Sequence, residues 1–358
     1  MKQNEHFLAL AGLLVTNDKV SVQRQFGKLE KIGLDQTLDA IDWHRLVLPV
    51  YATLRKHDCQ LPANFSLALK NRYRQHKMNL LGLQEAQINV TKLFNDHDVA
   101  HLHFKGAVLS ELLYGNAELR HSKDVDVWVD EADVERAVRI LTAAGYHLVA
   151  DLEPLDDANY QQMMTVRKDL VFISPSINPI ELELHWRLDK NRYAYGMEFS
   201  SIIRKEFRQS IKNHNFSSFD RHDYISYLAI HGGMAMWGRL KWLQDWHSLV
   251  ALLNKENFDW QHHCQTLEQA GRLQFTLLAV NLSQQVFGQL PPNGVPISKT
   301  NWFTRVSEQH IIRSLIKNKY PSLVSRWLLR LFLCSANGYK KEQFSLFFKM
   351  LINPRLRV

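Results

Sequence analysis

The stretch that most constrains the fold is HLHFKGAVLSELLYGNAELRHSKDVDVWVD, residues 101 to 130. Its last part, DVDVWV, alternates Val125, Val127 and Val129 with Asp124, Asp126 and Trp128. That period of two suits a strand and not a helix, and it sends the two aspartates out on one face, roughly 6 to 7 Å apart. Ahead of it, VAHLHF alternates and is rich in β-formers, and KGAVLSELLYG reads as a helix starting at Gly106. A second helix follows in DEADVERAVRILTAAGY. Asp130 or Asp133 stands near its start, Val134, Ala137, Val138 and Leu141 form its apolar stripe, and Gly145 ends it. The runs YHLVA, DLVFIS and IELELHW then supply further strands, so the segment predicts an α/β unit with a mixed sheet.

Two carboxylates placed side by side on a strand can hold one or two magnesium ions, which demand hard oxygen ligands and leave room for substrate phosphate. A third anchor is expected from NPIELELHWRL, where Glu181 and Glu183 alternate with apolar residues and share a face. Gly106 at a helix start lets the backbone approach a ligand closely. The free N–H groups there and the positive end of the dipole suit phosphate, and Lys105 adds a point charge. A rival chemistry uses the same letters, because nucleotide-sugar glycosyltransferases hold manganese with an Asp-x-Asp. There the motif usually closes a long apolar strand. Here it follows the polar His121-Ser122-Lys123 and begins one, which favours nucleotidyl transfer. His101 and His103 lack a third ligand at metal spacing and read as structural.

The rest of the chain is helical in pattern. Residues 1–95 repeat apolar positions at helical intervals and read as scaffold, with a helix capped near Asn4, another begun by Asp42 before Trp43, and a break at Leu61-Pro62. Residues 96–190 hold the α/β core, and residues 191–358 turn helical again. In the last part, HDYISYLAIHGGMAMWGRLKWLQDWHSLVALL sets His231, Arg239, Lys241 and Asp245 among apolar neighbours, a costly arrangement unless they pair or meet a ligand. Lys241 and Asp245 are spaced for a helix ion pair, and Gly232-Gly233 is expected to interrupt or kink the path.

The chain has 358 residues and 46% hydrophobic content, enough for a buried core in two or three subdomains. Three scattered cysteines make neither a disulfide framework nor a zinc pattern, which points to a reducing cytoplasm. FLALAGLLV, residues 7 to 15, resembles a signal h-region but follows Glu5, lacks a cleavage site and runs into charged sequence. No apolar run reaches the roughly 18 residues of a membrane span. The net charge of +8 favours an anionic partner such as a nucleoside triphosphate, nucleic acid or an acidic membrane surface. Basic residues gather mildly near the C-terminus, through Arg355 and Arg357. Trp327, Leu328, Leu331 and Phe332 alternate there with arginines, a pattern for peripheral membrane contact.

The run Lys105-Gly106, Tyr114-Gly115, Arg120, Asp124-Val-Asp126 and Glu183-Leu-His185-Trp186 resembles the uncharacterised nucleotidyltransferase family of the polymerase-beta-type superfamily. Asp42-Trp43 and HGGMAMWGRLKWLQDW fit the same layout. Where the wider superfamily has Gly-Gly or Gly-Ser, this chain has Lys105-Gly106-Ala107, with a longer gap to Asp124. The resemblance implies an α+β fold, a small mixed β-sheet core flanked by N- and C-terminal helical domains. It also implies a transfer of NMP from an NTP to an acceptor, which the sequence leaves open among a small molecule, a saccharide and a protein, with nucleic acid a further candidate. Asp124, Asp126 and Glu183 would be the catalytic and metal residues, binding two magnesium ions with manganese as the alternative. Of the two glutamates, Glu183 stands in the resembled motif, which leaves Glu181 about 6 to 7 Å further along and out of reach. Lys105, Gly106, Ala107, Arg120, His231, Arg239 and Lys241 would bind the nucleotide. Two other readings stand beside this one, a silent nucleotide-binding protein on the same fold and the glycosyltransferase.

Overall fold

A computed structural model describes residues 2–149, 164–205 and 207–352. Ala150, Arg355 and Arg357, named above, lie outside the described residues. The chain is woven into two units. The first comprises residues 1–78, 118–121 and 224–335, the second residues 79–117, 122–223 and 336–358.

The first unit is helical. Helices α1 (Lys2–Val15), α2 (Lys19–Ile32), α3 (Leu34–Trp43) and α4 (Val47–Lys56) open it, and the 34-residue α5 (Ala63–Asp96) starts in it and ends in the second unit. Helix α1 starts ahead of the expected cap at Asn4. Asp18 caps α2, its carboxylate accepting the Ser21 N–H at 2.8 Å. Asp42 does not begin a helix as its sequence context suggests. It lies in the last turn of α3, and the break comes at Arg45, whose φ is +58°.

The second unit is built on a five-stranded sheet. Strand β1 (His101–His103) leads to α6 (Gly106–Tyr114), β2 (Asp124–Val129), α7 (Val134–Ala143), β3 (His147–Leu148), β4 (Asp169–Ile173) and β5 (Glu181–His185). The spatial order is β1-β2-β5-β4-β3, with β2 and β5 parallel and the other pairs antiparallel. The sheet is mixed, as its alternating runs predict. Val125, Val127 and Val129 are buried, each burial contributing roughly 1.5–3 kcal/mol. Helix α7 buries Val134, Ala137 and Leu141 and turns Glu135, Arg136 and Arg139 outward.

After the short α8 (Phe199–Ile203) the chain departs from the helical expectation. Strands β6 (Arg208–Ile211) and β7 (His214–Ser217) form a hairpin whose turn residues Lys212 and Asn213 both have positive φ. Ile211 and Phe216 of the hairpin pack with Ala107, Val108 and Ala117, and so support α6 from its side. Helix α9 (Arg221–Met234) continues through Gly232-Gly233 rather than breaking there. The pair serves close packing, because a Cβ on Gly232 would meet the Trp237 ring at 2.4 Å and one on Gly233 the Phe275 ring at 2.4 Å. Helices α10 (Leu240–Lys255), α11 (Trp260–Gln269), α12 (Leu273–Phe287), α13 (Trp302–Ile316) and α14 (Leu323–Leu333) complete the first unit, and α15 (Tyr339–Ile352) belongs to the second. Among the described residues no helix is long and apolar enough to cross a membrane.

Candidate active site

The second unit brings Lys105, Asp124, Asp126 and Glu183 together. Strands β2 and β5 lie side by side in parallel register, pairing Asp124 with Glu181, Asp126 with Glu183 and Trp128 with His185. Neighbours in register share a face, so the alternation in each strand places both acidic rows on one side of the sheet. The register corrects one expectation. Glu181 is not displaced beyond the aspartates but stands level with Asp124, and it shares Lys123 with Asp124 at 3.3 Å from each.

Asp126 is the buried centre of the group, and its Oδ1 accepts from Lys105 Nζ at 2.5 Å and lies 3.0 Å from His185 Nε2. Burial opposes its ionisation, but the Lys105 charge and the His185 hydrogen bond prevail and hold its carboxyl well below the usual range. Glu183 Oε2 lies 3.1 Å from the same His185 nitrogen. Burial pushes Glu183 up, yet the His185 hydrogen bond and nearby cations bring it below its ordinary value. Asp124 goes the other way, raised by burial and then by the Asp126 charge. The Lys105 ammonium is raised, since the charges of Asp126, Glu183 and Asp124 outweigh the effect of its burial.

The donor set suits a divalent cation. Ligand atoms of Asp124, Glu181 and Glu183 lie within 4.8 Å of one another, as do those of Asp126, Glu183 and His185. Oδ2 of Asp126 is buried without a hydrogen-bond partner, and an orphaned carboxylate oxygen is what a bound cation satisfies. Beside Lys105, Asp124 and Asp126 the unit encloses a cavity of about 10 Å³, about the room of one water-sized sphere.

Gly106 opens α6 with φ +59°, a conformation that residues with a side chain rarely adopt, and Lys105 is its N-cap, its side chain making no capping hydrogen bond. The first N–H groups of α6, including that of Ala107, thus start beside the carboxylate cluster, where a phosphate would find donors and dipole together.

The other residues expected to bind nucleotide lie in the first unit. Arg120 forms a buried ion pair, Nε to Asp245 Oδ2, at 2.9 Å, and Lys241 donates to the His121 carbonyl at 2.8 Å. Arg239 donates to the Tyr320 hydroxyl at 2.7 Å and to the Trp43 carbonyl, with its guanidinium 5.1 Å from the centre of the Trp43 ring. His231 stacks on Tyr227 at 5.4 Å. His101 and His103 are buried core residues. His101 contacts the Val99 carbonyl and His103 the Thr91 hydroxyl, and burial lowers both.

Sequence reasoning left His185 and Asp169 out of the site. The signal for His185 was present, since Glu181, Glu183 and His185 continue one alternation. Asp169 begins a strand whose register only the fold reveals, facing His185 across the β4–β5 pair. The later turns of α5, read as scaffold, supply Gln84 and Gln87 to the cavity wall, and Lys212 of the hairpin donates to Gln84 Oε1 at 2.6 Å.

A search of curated proteins and one of solved structures each finds no match. A family model described as uncharacterised nucleotidyltransferase matches residues 30–288, a span that takes in Lys105, Gly106, both aspartates, Glu183 and most of the helical unit. With well over half its length matched, the chain belongs to this nucleotidyltransferase family.

Proposed function

We propose that the protein is a magnesium-dependent nucleotidyltransferase that moves an NMP group from an NTP to an acceptor hydroxyl or phosphate. The observation that carries the reading is the parallel β2–β5 register, which gathers Asp124, Asp126 and Glu183 beside the glycine-started helix. The acceptor oxygen attacks the α-phosphorus, the bond to the bridging oxygen breaks, and pyrophosphate leaves. Two divalent ions, magnesium or alternatively manganese, would be held by Asp124, Asp126 and Glu183 and would neutralise charge on the attacking and leaving oxygens. Lys105 leaves Asp126 for the triphosphate, and the N–H groups of Gly106 and Ala107 orient it. Glu183, kept ionised by His185, accepts the acceptor's proton. The buried Arg120 and Lys241 hold the first unit together.

Calorimetry tests the metal site. Asp124→Ala and Asp126→Ala should each abolish magnesium-dependent NTP binding while the thermal transition stays cooperative. Parent-like affinity in either variant removes that residue from the site. Release of pyrophosphate from labelled NTP, magnesium and cell extract separates the transferase from a silent binder, which would bind nucleotide without turnover.

A further inference from the structure

Resting on the metal-dependent reading above, we infer that His185 is itself a metal ligand through Nε2 and that Asp169 is the positioning residue behind it. The two cation positions are therefore unlike. One is lined only by oxygen, from Asp124, Glu181 and Glu183, and the other by Asp126, Glu183 and the His185 nitrogen. Glu183 belongs to both.

Four observations support this assignment. Nε2 of His185 lies 3.0 Å from Asp126 Oδ1 and 3.1 Å from Glu183 Oε2, inside the ring of carboxylates. The second oxygen of Asp126 is buried with no hydrogen-bond partner. The imidazole is only 2% exposed, and the Phe104 ring stands edge-on to it at 5.1 Å, which limits its rotation. On the far side Asp169 Oδ2, which also pairs with Lys168, lies 3.7 Å from Nδ1, a ring nitrogen that is itself buried and without a hydrogen bond. A carboxylate behind a histidine keeps the proton on the nearer nitrogen and turns the lone pair of the farther one toward the ion, the usual support of a metal-bound imidazole. Asp169 and His185 are in register across the β4–β5 pair, so a small contraction there would close that contact. One nitrogen with carboxylates suits manganese and its neighbours better than magnesium, whereas the all-oxygen position suits magnesium.

The test reads the ligand directly. The full chain is loaded with manganese alone in a nitrogen-free buffer, and pulsed electron paramagnetic resonance measures nitrogen hyperfine coupling to the ion. Coupling is expected in the parent. It should take the isotope pattern of nitrogen-15 when the histidines are labelled, and it should vanish in His185→Gln. Asp169→Asn should keep the coupling but weaken manganese affinity about 10- to 100-fold. Manganese bound with no nitrogen coupling in the parent overturns the inference and leaves the carboxylate site standing. Coupling that persists in His185→Gln also overturns it, by assigning the nitrogen to another histidine. The parent and labelled spectra decide the matter even if His185→Gln does not fold. Failure to bind manganese with or without NTP overturns the metal-dependent reading itself.

Discussion

At the scale of single residues, the site is a contest among cations for Asp126. Lys105 holds its Oδ1 at 2.5 Å, so a cation bound at Asp126 would compete with an ammonium that three carboxylates raise and hence keep firmly charged. Lys105→Met removes that competitor. It should strengthen manganese binding by about tenfold or more in the absence of nucleotide, a modest fraction of the Coulomb attraction at this separation, while weakening NTP binding; titration calorimetry with and without NTP reads both. Unchanged metal affinity would show that Lys105 does not compete. The glutamates differ for a related reason. Glu183 is common to both candidate ligand groups, whereas Glu181 belongs to one and is partly neutralised by the exposed Lys123. Glu183→Gln should lower pyrophosphate release by about two to four orders of magnitude, and Glu181→Gln by clearly less. Equal losses would mean that the Glu181 position is as critical as the one Glu183 shares.

At the scale of elements, the helix-permitting glycines carry a packing constraint that can be measured. Gly232 faces the fully buried Trp237, whose own φ of +45° shows how tightly the turn after α9 is drawn in. Gly232→Ala should destabilise the protein by about 1–3 kcal/mol by overpacking, seen as a lowered urea midpoint. An unchanged midpoint would mean that the ring moves aside freely. Alternation is a local property, which is why β2, β5 and the face bearing their carboxylates were legible in the sequence. Register is not local. Nothing within Glu181-Leu-Glu183 says which glutamate stands beside which aspartate, and Asp169 could be placed behind His185 only once β4 was aligned on β5. The hairpin β6–β7 escaped because Arg208–Ser217 is polar except for Ile211 and Phe216, too few apolar residues for either period to stand out; the Lys212-Asn213 turn was its one local sign. The glycine pair in α9 read as a break because a missing Cβ looks alike in sequence whether it frees the backbone or makes room for a ring.

At the scale of the whole molecule, acid should act first on a buried histidine of the helical unit. His44 Nδ1 accepts the N–H of Leu240 at 3.1 Å, across 196 residues of sequence, so it serves the start of α10 only while unprotonated. Burial, followed by the Arg239 charge, lowers it from 6.5 to about 4. Because the folded value is the lower one, the stabilisation from this group is complete above pH 6.5 and is lost as the pH falls to about 4, with a total on the order of 3 kcal/mol. Urea melts from pH 7 to pH 4 should show that decline, and His44→Gln should flatten it; an equal decline in the variant would assign the acid sensitivity elsewhere. The weave of the two units has a consequence during synthesis. Helix α1 buries Phe7, Leu10 and Leu13 and packs on α12, which begins only at Leu273. A ribosome adding about 5–20 residues per second makes the first helix about 13 to 50 s before that partner exists. Through that interval α1 has α2 and α4 to pack on but lacks this later partner, so a chain released early, for example after residue 223, leaves the part of α1 that meets α12 uncovered.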